Sequence, residues 1–244
     1  MKNKKTGIAG SIILVLLVLL QIVFSGDHNE TGSKNNEDPA QDTVLIENVS
    51  DESDQGKSES AHESVGLPSF AELTREQAVL TVDEVDLADP PRFQKILLAD
   101  VRSVDGDTFA FYVGDTEYRL RLLMVDTPES VKKDLPPQPY GKKAATFTKE
   151  QLQNKAVSIA FDKGSVKDHY DRYLAYVFIG EESLQQQLLE KGYGIVRYIN
   201  AGGDSYHQEF LSFQEEARKK QAAVWSEPDY VKATKRYYYF SYED

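Results

Sequence analysis

Asp105-Gly106-Asp107-Thr108 and Val125-Asp126-Thr127-Pro128-Glu129 bracket a stretch in which polar and apolar residues alternate, and Arg121 lies inside it. A hairpin would fold the two acidic ends together. Aspartates offer short, hard oxygen donors of the kind that hold a divalent cation such as calcium. A guanidinium fork matches a phosphate better than the point charge of a lysine does. Carboxylates, cation and arginine in one cleft would suit hydrolysis of a phosphodiester, where charge must be neutralised, a water activated and the leaving group held in line. Each cluster also has a plainer reading, with Asp105-Gly106 as a hairpin turn and Asp126-Thr127-Pro128 as an Asx turn.

Alternation through Tyr118-Arg119-Leu120-Arg121-Leu122 sends the leucines to one face and the arginines to the other. Arg121, five residues before Asp126, is expected to share its side, whereas Arg119 has the pattern of a solvated strand residue. Glu129, aimed from a turn fixed by Pro128, is the candidate general base. Arg172 lies in the polar run Lys167-Asp168-His169-Tyr170-Asp171-Arg172, where it either pairs with Asp168 or Asp171 or serves chemistry at a rim. Tyr170 and Tyr198 could stack on bases, although the run Tyr237-Tyr238-Tyr239-Phe240 shows that this chain also uses tyrosine freely for packing.

Composition removes several other chemistries. The 244 residues include no cysteine, so disulfides, thiolate metal sites and thiol nucleophiles are excluded, and the four scattered histidines offer no zinc-ligand spacing. The net charge of -12 is uneven. Residues 1–26 carry +3, residues 27–92 carry -13 and residues 93–244 only -2. A polyanionic partner would therefore meet local basic groups and a metal ion, with no general positive field to draw it in.

Three lysines precede an uncharged run from Ile8 to Phe24, read as an export segment. Residues 1–26 are either a cleaved signal peptide or a membrane anchor spanning roughly 25 Å as a helix. Both readings place the rest outside the cytoplasm, secreted or held on the outer face of the cytoplasmic membrane. Residues 27–92 read as an acidic, mostly disordered linker, with a short helix near Thr74 to Leu80 capped by Thr74 and Gln77.

From Phe93 to about residue 228 the patterns are those of a compact α+β domain, followed by a Tyr-rich tail over 229–244. Strands are predicted over Ile96–Ser103, Thr108–Val113, Glu117–Val125, Ala156–Phe161 and Leu174–Ile179, and helices over Lys142–Gln153, Ser183–Lys191 and Ser205–Gln221. Five strands and about three helices fit a small barrel of the OB type.

The order of the pieces is more specific than any one of them. Asp-Gly-Asp-Thr, Arg-Leu-Leu-Met-Val-Asp-Thr-Pro-Glu, Tyr-Gly-x-x-Ala, Phe-Asp-Lys-Gly, Asp-x-Tyr-x-Arg-x-Leu-Ala-Tyr and Trp225-Ser226-Glu227 follow one another between Lys95 and Glu227. That order closely resembles the staphylococcal nuclease (thermonuclease) family. The resemblance implies an OB barrel and a calcium-dependent endonuclease that cuts DNA and RNA at the P to 5′-O bond, leaving 3′-phosphates. It implies that Asp107 and Asp126 bind calcium with the Thr127 carbonyl, and that Glu129 positions or deprotonates the attacking water. Arg121 and Arg172 would hold the phosphate, and Tyr170 and Tyr198 the nucleotide.

Three positions depart from the family pattern: His169 stands in place of a phosphate-contacting lysine, Asn200 in place of a second binding tyrosine, and Ser130–Pro139 is a Pro-rich version of a neighbouring loop. A monomer is expected. The competing readings are a non-catalytic OB-fold module that binds nucleic acid or protein at the cell surface, and an envelope tether in which the barrel is incidental.

Overall fold

The structure, a computed structural model, describes residues 67–131 and 136–241. The apolar run 8–24, the acidic stretch 27–66, residues 132–135 and Tyr242 lie outside the described residues. Helix α1 (Phe70–Arg75) comes first, followed by the short strand β1 (Leu80–Thr81) and a 3₁₀ turn over Val82–Glu84. Strands β2 (Ile96–Leu98), β3 (Val101–Ser103), β4 (Thr108–Val113), β5 (Thr116–Leu122) and β6 (Val125–Asp126) precede helix α2 (Gly141–Leu152). Then come β7 (Val157–Ala160), β8 (Tyr173–Ile179), β9 (Glu182–Ser183), helix α3 (Leu184–Glu190), β10 (Ile195–Val196) and helix α4 (His207–Lys219). A 3₁₀ turn over Ala223–Ser226 leads to a last hairpin, β11 (Val231–Ala233) and β12 (Tyr238–Phe240).

The main sheet runs β1-β2-β7-β8-β5-β4-β3, with β9 paired to β8. Pairs β1/β2 and β5/β8 are parallel and the other ladders antiparallel. The α+β expectation stands, but among the described residues the ladders form an open mixed path and not a closed five-stranded barrel. β2, second from one end of that path, and β3, at the other end, follow one another in the chain, because the single strand expected over Ile96–Ser103 is interrupted at Ala99-Asp100. The hairpin between β4 and β5 turns on Gly114-Asp115, where Gly114 adopts φ +55° as a tight turn requires. Every residue of β8 is buried, and its Tyr176, Val177 and Phe178 lie in the core with Phe109 and Phe111 of β4.

The packed body begins well before Phe93. Phe70 of α1 is buried against Tyr176, Tyr206 and Phe210, and Leu73 is fully buried. The buried Lys95 amine donates to the carbonyl oxygens of Thr74 at 2.5 Å and Gly180 at 3.2 Å, tying α1 to the turn after β8. The helix expected over Thr74–Leu80 lies several residues earlier, because the capping pair is Ser69 and Glu72: the Ser69 hydroxyl accepts the Glu72 N–H at 3.2 Å and the Glu72 carboxylate accepts the Ser69 N–H at 2.8 Å. Thr74 instead donates its hydroxyl to the Phe70 carbonyl at 2.6 Å. Four α-helices are described, three of them after residue 93 at nearly the positions expected.

Candidate active site

Arg121 sits on β5 opposite Thr108 of β4 and beside Leu174 of β8, so ladders on both sides fix its backbone. In a straight strand a residue five positions on would point to the opposite face. The expected strand Glu117–Val125 is not straight. It breaks at Leu123-Met124, where Met124 takes a left-handed φ of +56°, and Asp126 swings back onto the side of Arg121. The Arg121 guanidinium holds that bend itself by donating to the Leu122 carbonyl at 3.3 Å and to the Val125 carbonyl.

Its other terminal nitrogen bridges two carboxylates, 3.3 Å from Asp107 Oδ2 and 2.9 Å from Asp126 Oδ1. All three side chains are nearly buried. Asp107 Oδ2 also accepts the Thr127 N–H at 2.8 Å and the Thr127 hydroxyl at 2.9 Å. Thr127 therefore orients an acidic side chain as well as presenting its own backbone. Burial pushes the Asp126 carboxyl up to about 6 against the pull of Arg121, and the like charge of Asp107 adds to the rise.

Glu129 lies two residues past Thr127, in a loop clasped by Gln138. The Gln138 side-chain oxygen accepts the Glu129 N–H at 2.7 Å and the Gln138 N–H donates to the Glu129 carbonyl at 2.9 Å. Burial, together with a hydrogen bond to the Asp105 carboxyl and that group's charge, raises the Glu129 carboxyl well above the usual range. Asp105 in turn accepts the Ser130 hydroxyl at 2.6 Å and the Gly106 N–H at 2.8 Å. Helix α2 is tied in where the Thr148 hydroxyl donates to the Gly106 carbonyl at 2.6 Å.

Across the cleft, Arg172 precedes β8 and donates to Asp168, with Nε 2.8 Å and a terminal nitrogen 2.6 Å from Oδ2. The pairing with Asp168 is the one the structure shows, and the paired guanidinium also lines the cleft. Burial would raise the Asp168 carboxyl, but hydrogen bonds from the Arg172 side chain and backbone and from the Tyr170 N–H outweigh it and hold the group below its ordinary value. Tyr170 and Tyr198 are exposed at 69% and 55%, with the Arg172 guanidinium 5.3 Å from the first ring and that of Arg121 5.5 Å from the second.

The eight residues singled out in the sequence, Asp107, Arg121, Asp126, Thr127, Glu129, Tyr170, Arg172 and Tyr198, all line one cavity of about 470 Å³, and His169 and Asn200 lie on its wall. Sequence reasoning missed Arg197. It stands next to Tyr198, 3.4 Å from Asp126 Oδ2, and its only signal was that adjacency. It also missed Gln138, a polar residue in the Pro-rich loop whose burial nothing in the pattern announced.

Among the described residues no group of three or more His, Cys, Asp or Glu side chains is placed to hold a metal ion. The groups that do converge are the carboxylates of Asp107 and Asp126, brought together by Arg121, and carboxylate oxygen is a donor that a hard cation prefers. Carboxylates, guanidinium groups and open aromatic rings thus line one cleft of an α+β domain.

The family model described as staphylococcal nuclease homologue matches residues 119–227. A thermonuclease of Staphylococcus intermedius is 40% identical over 124 residues, 51% of this chain and 73% of its own length. Endonuclease YncB of Bacillus subtilis is 35% identical over 130 residues, 53% of this chain and 62% of its own. An uncharacterized protein of Bacillus anthracis is 36% identical over 165 residues, 64% of this chain and 77% of its own. The chain belongs to the staphylococcal nuclease family.

Proposed function

We propose that this protein is a calcium-dependent endonuclease that hydrolyses phosphodiester bonds of DNA and RNA, cutting the P to 5′-O bond to leave 3′-phosphate ends. The observation that carries the reading is one Arg121 nitrogen bridging Asp107 and Asp126 inside the cavity that Glu129 and Arg172 also line. Asp107, Asp126 and the Thr127 carbonyl would hold calcium, which when bound supplies a positive charge beside the phosphate. Such a charge would offset the burial, and after it the like charge of Asp107, that push the Asp126 carboxyl upward.

The chain's own groups account for the rest. Glu129 takes a proton from the attacking water, a role that suits a carboxyl raised towards neutrality. Arg121 and Arg172 donate to the non-bridging oxygens and stabilise the extra charge of the phosphorane, the electrostatic effect that is usually largest. Asp168 holds Arg172 in position for this. Tyr170 and Tyr198, exposed at the rim, offer faces to the flanking bases.

The protein acts as a monomer outside the cytoplasm, secreted or held to the membrane through residues 8–24. The full chain incubated with end-labelled DNA and RNA is expected to cleave both with calcium and to stop with chelator, leaving 3′-phosphates. Undiminished cleavage in chelator would remove the metal from the reading, and 5′-phosphate products would remove its bond polarity.

A further inference from the structure

Residues 228–241 lie beyond the stretch that the family model matches, and Tyr237 among them packs near Arg197, a contact of the cleft residue Asp126. Chain reversal at Asp229, with φ +57°, sends Tyr230 and the β11/β12 hairpin back onto β10. Tyr230 stacks on Phe240 with centroids 5.3 Å apart, Tyr238 meets Trp225 edge to face at 5.3 Å, and these rings pack with Ile195 and Val224. In the hairpin register Val231 faces Phe240 and Ala233 faces Tyr238, so alternation turns the intervening Lys232–Tyr239 pair outward. Tyr237, 45% exposed, meets Tyr239 at 6.5 Å on that outer side.

Between Val231 and Ser241 the chain carries Lys232, Lys235 and Arg236 and no acidic residue, in a protein whose net charge is -12. Arg197 joins this surface to the cleft. Its guanidinium lies 5.6 Å from the Tyr237 ring, 4.7 Å from the Tyr198 ring and 3.4 Å from Asp126 Oδ2.

We propose that the outer face of the β11/β12 hairpin, continued by Arg197 into the cleft, is a second binding site for single-stranded nucleic acid that grips the strand beyond the bond being cut. Exposed rings next to cations are what sequence-tolerant single-strand binding uses: bases stack on the rings while the backbone follows the charge. Here the exposed Tyr237 and the half-buried Tyr239 supply the rings, and Lys232, Lys235 and Arg236 the charge. Such a site makes long strands better ligands than short ones. The inference rests on the nuclease reading, but its test needs no cleavage.

Binding of a fluorescein-labelled thymidine oligonucleotide of about twelve nucleotides, long enough to span a single-strand site, is measured by fluorescence anisotropy with the full chain in chelator. Replacing Lys232, Lys235 and Arg236 together by Ala is expected to weaken binding about tenfold and to lower the log–log salt slope by about 2, as three lost contacts to a single strand require. Tyr237→Ala with Tyr239→Ala is expected to weaken it about tenfold, whereas Tyr237→Phe with Tyr239→Phe binds like the parent because the stacking faces remain. Parent-like affinity and slope in the charge variant, or parent-like affinity in the Tyr→Ala pair, overturns the proposal. Tight binding of a synthetic peptide of residues 27–66 that the oligonucleotide cannot displace would give the face to that acidic segment and overturn it as well. Absence of cleavage by the parent in calcium would count against the nuclease reading alone, since anisotropy still reports on the hairpin.

Discussion

Gly141, the first residue of α2, stands against the backbone of Glu129: a Cβ added there would lie 2.4 Å from the Glu129 carbonyl oxygen and 3.0 Å from that of Pro128. Main chain cannot rotate out of the way as a side-chain tip can. Gly141→Ala is therefore expected to displace Glu129 and lower kcat about a hundredfold, the scale of a displacement of about 1 Å at a reacting group, while circular dichroism stays that of a folded protein. Full turnover in this variant would show that the position of Glu129 does not matter.

Arg121 makes contacts that a lysine cannot reproduce, since one terminal nitrogen serves two carboxylates while the other serves two carbonyls. Arg121→Lys is expected to reduce kcat by about 10² to 10³, as loss of one aimed donor to a developing charge does. Steady-state kinetics on single-stranded DNA with saturating calcium checks this. A change confined to KM would assign Arg121 to substrate binding instead.

Asp168 is held below its ordinary carboxyl pKa by Arg172 and by backbone N–H groups. The sign follows from linkage: a depressed folded-state value gives stability that is fully present above the unfolded value of about 4 and is lost as pH falls through the folded value. Asp168→Asn should therefore be less stable than the parent by a constant margin near neutrality, and the margin should shrink below about pH 4. Urea melts of both proteins from neutral to acid pH measure it. A margin that grew towards acid would contradict the assignment. The same variant should lower kcat by freeing Arg172.

Phe70 meets five aromatic rings, those of Tyr176, Phe178, Tyr206, Phe210 and Phe213, and is 4% exposed. Phe70→Ala is expected to cost about 3 to 5 kcal/mol of unfolding free energy, the range for emptying a buried aromatic site. Chemical denaturation would read this directly. A loss under about 1 kcal/mol, the scale of a surface substitution, would mean that α1 is an ornament on a domain starting near Phe93.

Much of the site was legible because its chemistry is local in the chain. Asp107 and Asp126 sit at the ends of a hairpin whose Gly114-Asp115 turn and alternation are strong signals, so their approach followed from pattern. The bend that makes their meeting possible was not legible. Met124 is a flexible apolar residue in a left-handed conformation, and nothing in Leu-Leu-Met-Val announces that the strand stops there. Residues 67–92 were misjudged because composition averages over a window. Phe70 and Leu73 lie among acids, and their burial depends on Tyr206 and Phe210, far along the chain. The Tyr-rich segment showed that rings were available but not which faces they present, since that depends on register against β11 and on Trp225.

By bridging Asp107 and Asp126, Arg121 acts as a built-in counterion. The two acids are held through its donor hydrogens and those of Thr127, groups that belong to the chain itself. Many small metal-binding modules collapse when stripped, because loading and folding are one event. On the proposed reading the two would be separate events, so a chelator is expected to silence the protein without unfolding it, and returning calcium to restore it.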